Sequence, residues 1–425
     1  MKRRSLVAYC FGIVLSTCWA SASFAACEKL SVHCAEAINA AYDDQANLHV
    51  VFVFKDEVYL TRFLGAQNGQ AQFAPYIKVN EQKEAMYTGR ENRPKLAFNA
   101  MHQQDVYVAW TQKTSGKYNG DIRFTRSIDG GKKFTKPLTV NDDGLITSHR
   151  FESLQVDAKG NVYLAWLDKR DKAIALHKAQ SYVGSALYFA VSKNRGESFE
   201  GNQKIADYAC ECCRTAIAPA ASQGVAIMWR HVYDNNIRDH AFTLVDSQTV
   251  NPIIQRVSRD NWKIDGCPHH GPSLASGQPI QTQISPPKAQ ADKREIYHAV
   301  WFTGGKEKQG IFYGRIVSPA APTEQVTLIS ERGSHPVIAS QNLAFLPSVQ
   351  TRQAAEVLHI VWMEFSDNAT ELRHIISRDQ GASWSKPVAV MHTQGGSDYP
   401  IVVSQESHVS VLWLTEDEGV RVKAL

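Results

Sequence analysis

One pattern governs what this chain can fold into: a short apolar segment ending in tryptophan returns six times. The copies are Val106–Trp110, Val162–Trp166, Val225–Trp229, Tyr297–Trp301, Leu358–Trp362 and Val409–Trp413, and Leu48–Phe52 is a seventh with Phe in the Trp position. From Phe52 onward the aromatics are spaced by 58, 56, 63, 72, 61 and 51 residues, a period that marks a repeat architecture. Each copy follows another apolar stretch and a turn, as Lys95–Phe98 precedes Val106. A third strand comes next, such as Ile122–Thr125 or Leu187–Ala190, and often a fourth, such as Pro137–Val140. Four short strands per repeat build one blade of a β-propeller, whose sheet packs face to face on its neighbours. Stacked β-sandwich domains would not need one Trp position repeated throughout. The expectation is an all-β, seven-bladed β-propeller, with six blades as the alternative if the first repeat or the stretch 240–296 is over-read. The last repeat reaches Leu425 after three strands, and Lys29–Val32 is a spare strand that would complete it, close the ring and cover an open edge.

The 425 residues, 44% apolar and 21% charged, have the composition of a globular domain. Lys2, Arg3 and Arg4, the apolar run Leu6–Trp19 and the small-residue stretch Ala20–Ala26 follow the layout of a secretory signal peptide over 1–25, leaving 26–425 as a single propeller domain. Cleavage removes three of the 46 basic residues and none of the 42 acidic ones, so the net charge falls from +4 to +1. A balanced charge without a Lys/Arg block argues against a nucleic-acid partner. No later apolar run reaches the roughly 18 residues of a membrane span. The protein is expected to be exported, periplasmic or secreted. Phe24-Ala25-Ala26-Cys27 is a lipoprotein-like site with Phe where Leu is usual, and ordinary cleavage is expected over a lipid anchor on Cys27.

Between the third and fourth strands three repeats carry a common turn, at 127–134, 192–199 and 377–384. Ser127, Asp129, Gly131 and Phe134 recur as Ser192, Asn194, Gly196 and Phe199, and as Ser377, Asp379, Gly381 and Trp384. The Asp or Asn can bond the turn's own N–H groups, the Gly supplies a positive φ, and the aromatic anchors the hairpin. These turns resemble the Asp-box, or bacterial neuraminidase repeat, of sialidases and related β-propellers. The resemblance implies a sialidase-like propeller with the boxes on the face away from the active site, and fold alone does not establish function.

The opposite face gathers the connections into each inner strand: Arg93, His149-Arg150, Cys210-Glu211-Cys212-Cys213-Arg214, Cys267-Pro268-His269-His270 and Asp398-Tyr399. Asp168, His231 and Glu364, each two residues past a repeat Trp, open the second set of loops on that face. Cys210, Cys212, Cys213 and Cys267 should meet between adjacent blades. In an exported protein such cysteines form disulfides, or with His269 and His270 they bind copper or zinc, or they do redox chemistry. Cys27 and Cys34 read as a local disulfide.

Sialidases hold the substrate carboxylate with three arginines, attack with a Tyr assisted by a Glu, and protonate the leaving group with an Asp. Asp398-Tyr399-Pro400-Ile401-Val402 is similar to the segment carrying that Tyr, so the resemblance implies Tyr399 as nucleophile, Glu364 and Asp168 in the acidic roles, and Arg93, Arg150 and Arg214 as the clamp, with His231 nearby. The family's Arg-Ile-Pro segment is replaced by Asn92-Arg93-Pro94-Lys95-Leu96, and its members have six blades. His49, His298 and His359, and Tyr107, Tyr163 and Tyr297, fall inside strands and read as packing. The function expected is binding of a small-molecule, glycan or protein ligand at the inter-blade-loop face. The alternatives are an exo-sialidase or related glycosidase on acidic sugars and a scaffold of an exported complex.

Overall fold

A computed structural model describes residues 27–221, 223–278, 295–317, 322–343, 356–366 and 368–425. The expected leader, 1–25, lies outside the described residues. Seven antiparallel sheets succeed one another along the chain, each with its strands in sequence order from the axis outward, and together they form a seven-bladed β-propeller. The inner strands are Ala37–Tyr42, Lys95–Phe98, His149–Val156, Ala216–Pro219, Ser273–Ser276, Ser334–Asn342 and Ile401–Gln405. The second strands are Leu48–Phe54, Val106–Lys113, Val162–Asp168, Val225–Arg230, Ile296–Gly304, Glu356–Ser366 and His408–Thr415, and they contain all seven repeat aromatics. Among the described residues one α-helix, Arg170–His177, lies in the loop after the second strand of blade 3. Among the described residues no helix is long and apolar enough to cross a membrane.

The repeated aromatic exists because each blade must seal against the blade before it. Trp110 packs in a cluster with Val51, Val53 and Leu60 of blade 1, Trp166 with Tyr107 and Ile122 of blade 2, and Trp229 with Leu187 and Phe189 of blade 3. Trp301, Trp362 and Trp413 do the same at the next three interfaces, and Phe52 fills the last, between blades 1 and 7. A buried Trp removes about 150–250 Å² from water, worth roughly 4–6 kcal/mol at about 25 cal/mol per Å² before entropic costs.

The three common turns share one hydrogen-bond pattern. Ser127 Oγ donates to Asp129 Oδ1 at 2.7 Å and accepts from Gly131 N at 2.9 Å, while Asp129 Oδ1 accepts from Lys133 N at 3.0 Å. Ser192 and Asn194, and Ser377 and Asp379, repeat it. The turn aromatic reaches the preceding blade: Phe199 meets Phe124 edge-on at 4.9 Å, and Trp384 meets Tyr313 at the same distance. Gly196 therefore serves twice, since its φ is 75° and a Cβ would also strike the Phe124 ring.

Among the described residues no N-terminal strand closes the ring, and Lys29–Val32 does not pair with blade 7 as expected. Blade 7 has three strands, and Val32–Cys34 is a 3-10 turn held by the Cys27–Cys34 disulfide. Val32 sits in the apolar cluster shared by Ile38 and Phe52 of blade 1 and Ile401, Leu412 and Val420 of blade 7, and Tyr42 Oη meets Ser410 Oγ at 2.7 Å across the same seam. A segment this short, tied by a disulfide within itself, plugs the seam instead of extending along an edge.

Candidate functional site

Because the inner strands radiate from one axis, residues opening different blades meet at one mouth. Arg93, two residues ahead of the inner strand of blade 2, reaches across to the segment opening blade 7. Its Nη2 lies 2.8 Å from Asp398 Oδ2 and 2.5 Å from the carbonyl of Tyr399, and its guanidinium sits 3.4 Å from the centre of the Tyr399 ring. Arg214, ahead of blade 4, lies 4.3 Å from the same ring. Glu91 fixes Arg214 through Nη1 at 2.7 Å and its backbone N–H at 2.8 Å, and accepts Gly271 N–H at 3.1 Å. Gly271 has to be glycine, because a Cβ there would run into the side chain and carbonyl of Arg214. His335 stacks parallel to Tyr399 with ring centres 5.5 Å apart, and His270 comes next at 4.2 Å from His335.

This packing sets the charges. Burial raises the Tyr399 pKa against the opposing pull of Arg93 and Arg214, so the phenol stays protonated. Burial opposes the Arg214 charge too, but Glu91 holds its pKa above the usual value. His335 is pushed down to about 2 by burial, then by His270 and Arg214.

Above this layer lies a cavity of about 400 Å³, lined by Gly89, Arg90, Glu91, Asn92, Arg150, Phe151, His269, His270 and His335. Arg150 packs its guanidinium 3.9 Å from the Tyr87 ring centre and 4.6 Å from that of Phe151, and its buried Nε has no hydrogen-bond partner among the described residues. Arg214 Nη2 is likewise buried and unpartnered among them. Burial lowers the Arg150 pKa. Phe151, His269 and His335 take φ values of 61°, 51° and 51°, an arrangement costly for non-glycine residues that collects at functional sites.

His269, which lines the cavity, also belongs to a neighbouring cluster of cysteines. Cys210, Cys212 and Cys213 are buried free thiols, and the exposed Cys267 thiol lies with His269 beside Cys212. No disulfide joins the four. His270 does not enter this group; it stacks on Phe302 and His335, and its Nδ1 meets the Pro268 carbonyl.

Asp168, Glu364 and His231 do not join Tyr399. Each accepts the indole N–H of the Trp two residues before it: Trp166 to Asp168 at 2.8 Å, Trp362 to Glu364 at 3.3 Å and Trp229 to His231 at 3.3 Å. A buried indole needs an acceptor, and the side chain two positions on is on the same face of the strand. Asp168 is fully buried against Arg170 and His149. Glu364 lines a separate cavity with Arg332 and Ser334, and His231 another with Tyr208 and Tyr233. The sequence reading missed Glu91 and His335, whose partners lie far away in the chain, and gave Asp398 no role.

No family model matches the chain, and no curated protein does either. In fold it is similar to an ulvan lyase. That solved structure, a polysaccharide lyase, is 10% identical, with a TM-score of 0.50 and 91% of each chain covered. The Hadza microbial sialidase Hz136 is 12% identical over 89% of this chain and 73% of its own, with a TM-score of 0.47. A leech intramolecular trans-sialidase is 9% identical over 89% and 82%, with a TM-score of 0.48. At these identities the likeness is one of fold.

Proposed function

We propose that this exported propeller binds an anionic ligand, an acidic sugar or oligosaccharide, in the cavity at its mouth. The observation that carries the reading is Arg150, a half-buried guanidinium lining the cavity, with no carboxylate paired to it among the described residues and a buried Nε that has no hydrogen-bond partner among them. Arg90 lines the same cavity, whereas the one carboxylate there, Glu91, is already neutralised by Arg214. A forked donor in a half-dry pocket is suited to a carboxylate or sulfate. The solved lyase of like fold is named for a polysaccharide, which agrees with a sugar ligand.

Hydrolysis is the second reading, favoured by Arg93 and Arg214 flanking Tyr399. Against it stands a phenol whose pKa is raised, with Asp398 and Glu91 already occupied by the two arginines. Calorimetric titration with glucuronate, sialic acid and their neutral parent sugars tests binding: saturable uptake of the acids alone is expected, and equal response to neutral sugars would overturn the reading. A fluorogenic sialoside assay on wild type and Tyr399→Phe tests hydrolysis, since turnover lost only in the variant would make Tyr399 the nucleophile.

A further inference from the structure

The Sγ atoms of Cys210, Cys212 and Cys213 form a nearly equilateral triangle, with edges of 3.8, 3.8 and 4.0 Å. A disulfide needs about 2.05 Å between sulfurs, so no pair is bonded. The centre of such a triangle lies about 2.2 Å from each sulfur, close to the metal–thiolate bond length of about 2.3 Å. Three buried sulfurs thus stand where one small ion would hold them. The backbone fixes this shape: Cys210 N–H is tied to the Arg230 carbonyl at 2.8 Å, and Tyr208 turns the chain with a φ of 61°.

The residue between them keeps oxygen out. Glu211 faces away and is held by Lys169 at 2.9 Å and Lys172 at 2.6 Å, leaving a sulfur-only pocket that hard cations such as calcium or magnesium would not choose. Cations stand where thiolate charge would appear. Arg238 Nη1 lies 3.2 Å from Cys210 Sγ, and Arg230 and Arg150 act electrostatically on Cys210 and Cys212. Cys212 also belongs to a second group with Cys267 and His269, whose ligand atoms all lie within 4.8 Å of one another. Those two are exposed, so the triangle is closed on the protein side and has soft donors on its open side.

We propose that Cys210, Cys212 and Cys213 bind a cuprous ion as three thiolates, with Cys267 and His269 as the donors through which it enters and leaves. Loading releases the three thiol protons to solvent and involves no change of oxidation state. Cuprous copper fits better than zinc on two counts. Structural zinc closes four ligands around itself, whereas here the fourth and fifth donors lie to one side on Cys212. Three thiolates around a single positive charge leave an anionic centre, which Arg238 and Arg230 offset. The inference does not depend on what the mouth cavity binds.

The test uses the untagged mature chain, reduced and handled without oxygen, titrated with Cu(I) against the colorimetric chelator bicinchoninate. One tightly held Cu(I) per chain is expected, with thiolate-to-copper absorption in the near ultraviolet and protection of three thiols from alkylation. Cys212→Ser should weaken binding by more than the roughly 10–100-fold that loss of an outer partner costs, and His269→Ala should act mainly on the rate of release. Alkylation protection is read on the wild type, so it stands even where Cys212→Ser fails to fold. Absence of copper uptake by the reduced chain, with these four cysteines shown to be free thiols, would overturn the proposal, as would zinc displacing Cu(I) at equal concentration.

Discussion

The Arg93 guanidinium stacks on the ring of Tyr399 at 3.4 Å while its Nη2 pairs with Asp398 at 2.8 Å, so one side chain ties blade 2 to blade 7 across the axis. Breaking a buried pair strands its partner, at about 3–5 kcal/mol. Arg93→Ala is therefore expected to lower the unfolding free energy by that order in urea titrations, and Arg93→Lys to recover part of it. A loss below about 1 kcal/mol would mean that Asp398 finds water instead.

Arg150 should behave in the opposite way. It is half-buried without an ionic partner among the described residues, and burial lowers its pKa, so its charge costs stability where that of Arg93 adds it. Arg150→Gln is expected to leave thermal stability unchanged or raise it, while weakening binding of an acidic sugar by roughly 10- to 100-fold, the worth of hydrogen bonds to a charged group at about 1.5–3 kcal/mol. Calorimetry on the two proteins, with the affinity repeated at high salt, checks both halves.

Two of the buried histidines contribute to opposite limbs of the pH dependence. His149 is fully buried; burial alone would lower its pKa, but hydrogen bonds to Asp121 and Asp143 and the charge of Asp168 push it up to about 10. Its stabilisation is complete below the unfolded value of about 6.5 and is lost as pH rises through about 10. His335, held down to about 2, stays neutral in the folded protein, so stability falls as pH drops below about 6.5 and the unfolded chain takes up the proton. Melting temperature should be highest near about pH 6–7. His149→Gln should flatten the alkaline limb and His335→Phe the acid one; unchanged limbs would show that other groups govern them.

Whether a residue could be placed from sequence depends on whether its partner is local. The Trp and Phe52 positions could be read because every blade poses the same packing problem, so the solution repeats. Arg93, Arg214 and Tyr399 could be placed at one mouth because each opens an inner strand, and the topology does the rest. Glu91 could not, since it answers Arg214 from 123 residues away and no local pattern announces it. Asp168, Glu364 and His231 misled for a local reason: their position two past a Trp is explained by the indole N–H alone. Lys29–Val32 reads as the spare strand completing the last repeat, but the Cys27–Cys34 disulfide closes the segment on itself and Val32 begins a 3-10 turn.

Glu91 separates the two readings of the mouth. It holds Arg214 by side chain and backbone and also caps Gly271 N–H, so Glu91→Gln keeps the shape and two acceptor bonds while removing the charge. If the cavity is a binding site, the freed Arg214 guanidinium adds a second unpaired cation beside Arg150, and affinity for an acidic ligand should rise several-fold even as stability falls by about 1–3 kcal/mol. If instead Tyr399 is a nucleophile, Glu91, which holds the Arg214 that packs on the Tyr399 ring and whose charge bears on the phenol, is part of that machinery, and the same change should lower turnover without improving binding. Measuring the dissociation constant for glucuronate or sialic acid alongside sialoside hydrolysis in this one variant distinguishes the cases, because only the binding reading predicts a gain in affinity.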